Sequence, residues 1–212
     1  MEDFYKEGFL IQRNFFDLDH VERCYQEIVD KNEGIVLKLL ELSDSNEFDN
    51  KSFAVENMNL KYLANANQYF NSINRLISSS VSKFAERIIG DEVYLDAVEL
   101  HQKLPGASLT PPHQDNFYFC LKEGKSTTAY IPLNKQSKHN GGLAVMPRSH
   151  LVDFPHYKSN VVGFSSGIES QYLKDHDIYD YILNPGDISF HHCNIVHLAP
   201  ENTSTKPRLS IA

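Results

Sequence analysis

The hydrophobic period of this chain changes at Gly90. Before it, Phe70, Ile73, Leu76, Ile77, Val81, Phe84 and Ile88 recur largely at steps of three and four, the spacing that gathers side chains on one face of an α-helix. This pattern predicts a helix from about Asn65 to Ile89, with Gly90 closing it. After Gly90 the apolar residues come in short runs: Val93–Leu100, Thr127–Leu133, Gly142–Met146, Asp180–Leu183, Asp187–Phe190 and Arg208–Ile211. These read as strands. Pro105-Gly106, Pro111-Pro112, Asn140-Gly141-Gly142 and Asn184-Pro185-Gly186-Asp187 separate them as turns, and strands so frequent and so punctuated suggest a sandwich or jelly roll. An earlier helix is expected after Asp17 as N-cap, with Val21, Tyr25, Ile28 and Val29 on one face. Helices first and strands afterwards make the class α+β.

No repeat, low-complexity tract or linker-like shift interrupts residues 1–212, so one domain is expected. Ser43 to Asn59, rich in Ser, Asp and Asn, reads as a loop or a lid. Lys+Arg 20 against Asp+Glu 28 leaves a net charge of -8, which repels phosphate backbones and argues against nucleic acid as a partner. No stretch approaches the roughly 20 apolar residues of a membrane span, so no membrane partner is expected. Met1 to Lys6 lacks the features of a secretory signal, and the expected location is cytoplasmic. Cys24, Cys120 and Cys193 are an odd number without CxxC spacing, which argues against a disulfide framework and a thiolate zinc site.

The ten histidines are the residues to follow, four of them falling between His176 and His197. His113-Gln114-Asp115 sets an imidazole and a carboxylate two positions apart, and on an extended strand both leave the same face. Alone this is weak, because His-x-Asp/Glu arises about once by chance in such a composition, and His20-Val21-Glu22 is a second case on an exposed helix side. His197, far along the chain on another β-like run, supplies a third candidate ligand. Two histidines and one carboxylate on Fe(II) leave three positions open, enough for a bidentate co-substrate and dioxygen. Arg208, 11 residues after His197, has a planar fork suited to holding a carboxylate.

The chain resembles the phytanoyl-CoA dioxygenase-like (PhyH) family of Fe(II)/2-oxoglutarate oxygenases. The likeness runs in family order through Phe4-Tyr5 and Gly8-Phe9-Leu10-Ile11, Lys103-Leu104-Pro105-Gly106, Pro112-His113-Gln114-Asp115-Asn116, the run Asn140 to His150, and Pro185-Gly186-Asp187 with Phe190, His191, His192, His197 and Arg208. It implies a double-stranded β-helix (jelly roll, cupin-like) core with N-terminal helices packed against one sheet. It makes His113, Asp115 and His197 the iron ligands and Arg208 the partner of the distal carboxylate of 2-oxoglutarate. Tyr130, Thr110 and His101 are further candidates for touching the co-substrate, though packing accounts for each as well. Spacing to Arg208 selects His197 over His191 and His192, which become supporting residues, and His150 becomes a turn anchor. Ala199 stands where some relatives carry a hydroxyl side chain.

The implied activity is hydroxylation, or another two-electron oxidation such as desaturation, with 2-oxoglutarate and O2 consumed and succinate and CO2 released. A carboxylate at Asp115 leaves no room for the halide of halogenating relatives. Ascorbate is an expected stimulant and a small organic molecule the expected substrate, while the oligomeric state is left open. Two rival readings are a cupin-like binding protein without turnover and a zinc hydrolase using the same three ligands. Asn116, Phe117, Tyr118 and Phe119 follow the motif, their alternate side chains either lining a cavity or forming sandwich core. The loop from Asn160 to Asp177 is a second candidate lid. His139, His156 and His176 sit in polar loops without an assigned role.

Overall fold

A computed structural model describes residues 2–43, 62–77, 79–161 and 164–212. The chain opens with α1 (Glu2–Glu7), β1 (Phe9–Gln12) and α2 (Leu18–Ser43). Asp17 starts α2 as expected: its Oδ1 accepts the Asp19 N–H and its carbonyl those of His20 and Val21. Val21, Cys24 and Ile28 are buried, whereas Val29 is 45% exposed and lies off the predicted stripe. A residue one step past Ile28 is turned some 100° around the helix, so both cannot face the same neighbour.

The single helix expected over 65–89 is divided into a 3₁₀ turn at Ala66–Gln68, α3 (Asn71–Leu76) and α4 (Ser79–Ile89). Phe70 is extended at φ -126 and ψ 108, and Ile77 leaves helical geometry at φ -82 and ψ 16. Each break re-aims the apolar stripe, and Phe70, Ile73, Leu76 and Ile88 are all buried in one apolar cluster. Gly90 closes α4 at φ +76, its N–H on the Glu86 carbonyl.

The strands are β2 (Tyr62–Ala64), β3 (Glu99–Lys103), β4 (Thr110–His113), β5 (Thr127–Pro132), β6 (Ala144–Val145), β7 (Tyr157–Lys158), β8 (Ser166–Gly167), β9 (Tyr179–Asp180), β10 (Ile188–His192), β11 (His197–Ala199) and β12 (Arg208–Ile211). A short helix, α5 (Asn116–Phe119), follows β4. The strand expected from Val93 begins only at Glu99, where pairing with Ala64 and Ala212 becomes possible. Tyr94 and Leu95 stay exposed. Likewise the strand expected from Asp180 stops there, Leu183 making only an isolated bridge to Gln136.

Among the described residues the strand pairing is antiparallel. One sheet has the order β1-β10-β5-β12-β3-β2, a second β4-β11-β6-β9, and β7-β8 forms a small hairpin. Tyr130, Phe9 and Ile11 of the large sheet pack with Val145, Leu143, Tyr181, Leu183 and Ile195, so the two sheets face each other as a jelly roll. The opposite side of the large sheet, carrying Leu10, Leu100, Ala129, Ile131, Ile188, Phe190, Leu209 and Ile211, packs against Phe4 and the apolar faces of α2, α3 and α4. The expected core with helices on one sheet is thus observed. No helix among the described residues is long and apolar enough to cross a membrane.

Candidate metal centre

His113 is the last residue of β4, and its register partner on β11 is His197. Antiparallel partners project from the same face, so the two rings meet with centroids 4.1 Å apart. His113 Nδ1 lies 2.8 Å from the Pro111 carbonyl and His197 Nδ1 3.2 Å from that of Ile195. A carbonyl only accepts, so each Nδ1 carries the proton and each Nε2 turns its lone pair inward.

Asp115 joins them by a different route from the one the sequence suggests. The strand ends at His113, and Asp115 has helical backbone, φ -57 and ψ -36, at the start of α5. Its carbonyl accepts the N–H groups of Tyr118 and Phe119. That turn, and not a shared strand face, carries Oδ1 to 3.6 Å from His113 Nε2 and 3.4 Å from His197 Nε2. One ligand atom from each of the three residues lies within 4.8 Å of the others, a spacing that a single divalent ion could bridge.

Burial pushes the Asp115 carboxyl upward, but the imidazoles of His197, His191 and His113 outweigh it and hold the group well below the usual carboxylate range. Burial, reinforced by His197, pushes His113 down to about 4 despite the neighbouring carboxylate. His197 is lowered by burial, partly offset by Asp115. At neutral pH the trio is therefore two neutral imidazoles and one carboxylate, a donor set ready for metal without loss of protons.

Arg208 opens β12 and is 6% exposed. Its Nη1 donates to Tyr130 Oη at 3.0 Å and to Ser210 Oγ at 2.7 Å. Tyr130 in turn donates to Gln136 Oε1 at 2.6 Å, and Gln136 Nε2 donates to the Leu209 carbonyl at 3.0 Å. Arg208 Nε is buried without a hydrogen-bond partner, and no carboxylate forms an ion pair with the guanidinium among the described residues. A buried cation held by neutral groups on one side, with an orphaned N–H on it, fits an incoming anion such as a carboxylate.

Of the remaining candidates, Tyr130 reaches Arg208 and positions its fork. Thr110 is half-buried at the start of β4, opposite Ala199. His101 Nε2 lies 3.2 Å from Glu99 Oε2. Ala199 is buried, and its carbonyl accepts the Lys103 ammonium at 3.0 Å. His192 turns away from the trio towards Phe4 and His150, whereas His191, its neighbour on β10, faces Asp115. His150 bonds the Tyr5 carbonyl, a structural role as expected, and His20 is exposed.

Phe117, Tyr118 and Phe119 do not alternate along a strand and are not sandwich core. They lie on α5, at 47%, 42% and 42% exposure, because the chain turns helical at Asp115. Tyr118 stands edge-on to His113 at 6.0 Å and donates to the Ser166 carbonyl. Phe164 lies 5.6 Å from His113. His156, without a role in the sequence reading, accepts the Gln114 N–H at 3.1 Å and stacks on Phe117 at 4.2 Å. Of the two expected lids, residues 44–59 lie outside the described residues. In the second, Ser166, Gly167 and Ile168 are buried, and Ile168 N–H bonds the Pro112 carbonyl, so this part forms wall beside β4. The sequence reading missed Thr128, Ser210 and Gln136; Thr128 and Ser210 stand two positions from Tyr130 and Arg208 on their strands, a period-2 signal that would have found them.

The phytanoyl-CoA dioxygenase (PhyH) family model matches residues 4–210, and the chain belongs to this family. It is 28% identical over 144 residues to the 1-deoxypentalenic acid 11-beta-hydroxylase of Streptomyces exfoliatus, covering 60% of this chain and 50% of that protein. The chain thus spans about half the length of that relative. It is 21% identical to a probable alpha-ketoglutarate-dependent hypophosphite dioxygenase of Stutzerimonas stutzeri, covering 96% of this chain and 72% of the other. Among solved structures, EctD from S. alaskensis with 2-oxoglutarate and 5-hydroxyectoine superposes with a TM-score of 0.74 at 18% identity, covering 99% of this chain and 72% of that one. The non-heme alpha-ketoglutarate-dependent epimerase SnoN from nogalamycin biosynthesis gives a TM-score of 0.68 at 22% identity, covering 99% and 78%. These likenesses establish the fold.

Proposed function

We propose that this chain is an Fe(II)- and 2-oxoglutarate-dependent dioxygenase that hydroxylates a small organic molecule and releases succinate and CO2. The observation that carries the reading is the convergence of His113 Nε2, His197 Nε2 and Asp115 Oδ1 in a fold that also buries Arg208 with an unpartnered Nε. His113, Asp115 and His197 would hold the iron, and Arg208 would take the distal carboxylate of 2-oxoglutarate through its free edge. Iron bound there supplies the redox chemistry that couples decarboxylation of the co-substrate to a two-electron oxidation. Tyr130 and Ser210 keep the guanidinium aimed, so that little ordering entropy is lost when the diacid arrives. The pairing of β4 with β11 sets the imidazoles before any ligand enters. Thr110 and His101 are the remaining candidates for co-substrate contact.

Asp115 fills the place a halide would need, which favours hydroxylation or desaturation over halogen transfer. The buried arginine favours an oxygenase over a zinc hydrolase, which has no use for a diacid anchor, and a binding protein without turnover would release no succinate. Residues 1–212 would act as one domain, in the cytoplasm, a reading that fits three unpaired cysteines. The test is aerobic succinate formation with Fe(II), 2-oxoglutarate and ascorbate across a library of small organic acids, terpenoids and polyketides. Succinate formation stimulated by a library compound supports the assignment; ligand binding without any succinate sinks it.

A further inference from the structure

The two oxygens of Asp115 have different surroundings. Oδ1 faces the two Nε2 atoms of His113 and His197. Oδ2 points into the large sheet, where it accepts a 2.9 Å hydrogen bond from Thr128 Oγ1 and has His191 Nε2 at 3.6 Å. Thr128 and His191 are register partners on β5 and β10, so their side chains stand together on one face of the sheet. His191 is 2% exposed, and neither ring nitrogen has a hydrogen-bond partner among the described residues. A buried imidazole in that condition costs stability unless something it faces repays it, and what it faces is the Asp115 carboxylate.

We propose that Thr128 and His191 clamp the outer oxygen of Asp115 and restrict this carboxylate to one-oxygen coordination, His191 being a positioning residue. The inference rests on the iron reading above. Carboxylates bind divalent cations through one oxygen or two, and two-oxygen binding by Asp115 would take a position that the co-substrate or dioxygen needs. Drawing Oδ2 onto the metal would strand the Thr128 hydroxyl and leave His191 facing nothing. Both residues lie on the large sheet, whereas all three candidate ligands come from the smaller sheet and its following turn. The clamp therefore ties the metal centre to the opposite wall of the roll.

The test is Co(II) titration of the full chain, followed by its visible d–d absorption, in wild type, His191→Asn, His191→Gln, Thr128→Val and His113→Ala. Asn keeps a polar side chain but falls short of the Nε2 position, while Gln carries an amide N–H close to it. The expected result is a loss of Co(II) affinity of about 10-fold or more in His191→Asn, the range seen when a group behind a ligand is removed. A changed d–d band should accompany it, with affinity and band largely restored in His191→Gln. Wild-type affinity and spectrum in His191→Asn would overturn the clamp alone. Equal loss in Asn and Gln with a common band shift would overturn it too, by making His191 a ligand. No Co(II) uptake by wild type, or full uptake by His113→Ala, would instead bring down the iron reading and the clamp with it. Should His191→Asn fail to fold, Thr128→Val decides: an unchanged affinity and band there rejects the proposal.

Discussion

The two faces of the large sheet are built from the same strands and have opposite chemistry. Towards the helices, β10 presents Ile188 and Phe190, β5 presents Ala129 and Ile131, and β12 presents Leu209 and Ile211. Phe190 there stacks on Phe84 with centroids 5.0 Å apart. Towards the second sheet the same strands present Ser189 and His191, Thr128 and Tyr130, and Arg208 and Ser210. Ser189 Oγ, both His191 ring nitrogens and Arg208 Nε lack hydrogen-bond partners among the described residues. One face stabilises the fold by burying hydrocarbon; the other buries polar groups at a cost, which the Asp115 carboxylate offsets for His191 and an incoming anion would offset for Arg208. Period-2 alternation lets one backbone serve both ends.

Four changes would break or sharpen that contrast. His113→Ala should reduce succinate formation to the no-enzyme level, with Fe(II) binding lost in equilibrium dialysis, while urea denaturation stays close to wild type. Phe190→Ala, one strand step from the polar face, should do the reverse: a destabilisation of roughly 3–5 kcal/mol in the urea midpoint, with Co(II) affinity of the folded protein unchanged. Arg208→Ala should leave metal binding intact and raise the 2-oxoglutarate concentration for half-maximal turnover by about 30-fold or more, equivalent to roughly 2 kcal/mol. Arg208→Lys should recover only part of this, because an ammonium lacks the fork.

The smallest effect concerns a structural carboxylate. Asp187 is buried, which pushes its carboxyl up, but the Asn184 N–H, the Arg13 guanidinium at 2.7 Å and the Asn14 N–H together hold it below the ordinary range. A folded-state value below the unfolded one adds stability above about pH 4, and this is lost as pH falls through the folded value. Asp187→Asn should therefore cost roughly 1 kcal/mol at pH 7, Arg13 being half-exposed and screened. The gap from wild type should narrow in urea melts as the pH is lowered through and below the ordinary carboxylate range. A gap that persists there would mean that packing, and not charge, is the cause.

Much of the fold was legible because local patterns agreed with it. Arg208–Ile211 is a strand as expected, Asp17 caps its helix, and Gly90 stops the last one. What misled was length. The run Asn65–Ile89 keeps helical spacing through two breaks, and Val93–Val98 reads as strand though nothing among the described residues pairs with it as a ladder. Period is a local property; where an element stops depends on which neighbour offers hydrogen bonds.

The site shows the same division. Residue types and order along the chain, read through the family resemblance, nominated His113, Asp115, His197 and Arg208 as candidates, and the structure brings the first three together. Types and order were not enough to show that Asp115 arrives on a helical turn, that Phe117 to Phe119 are exposed, or that Thr128 and His191 close on the far oxygen. Imidazoles, a carboxylate and a guanidinium are written in the chain one residue at a time, and they state which chemistry is possible. Distances between them depend on how β4 registers against β11 and β5 against β10 across many intervening residues, and only the assembled sheets, by satisfying their backbone hydrogen bonds in one register, decide that.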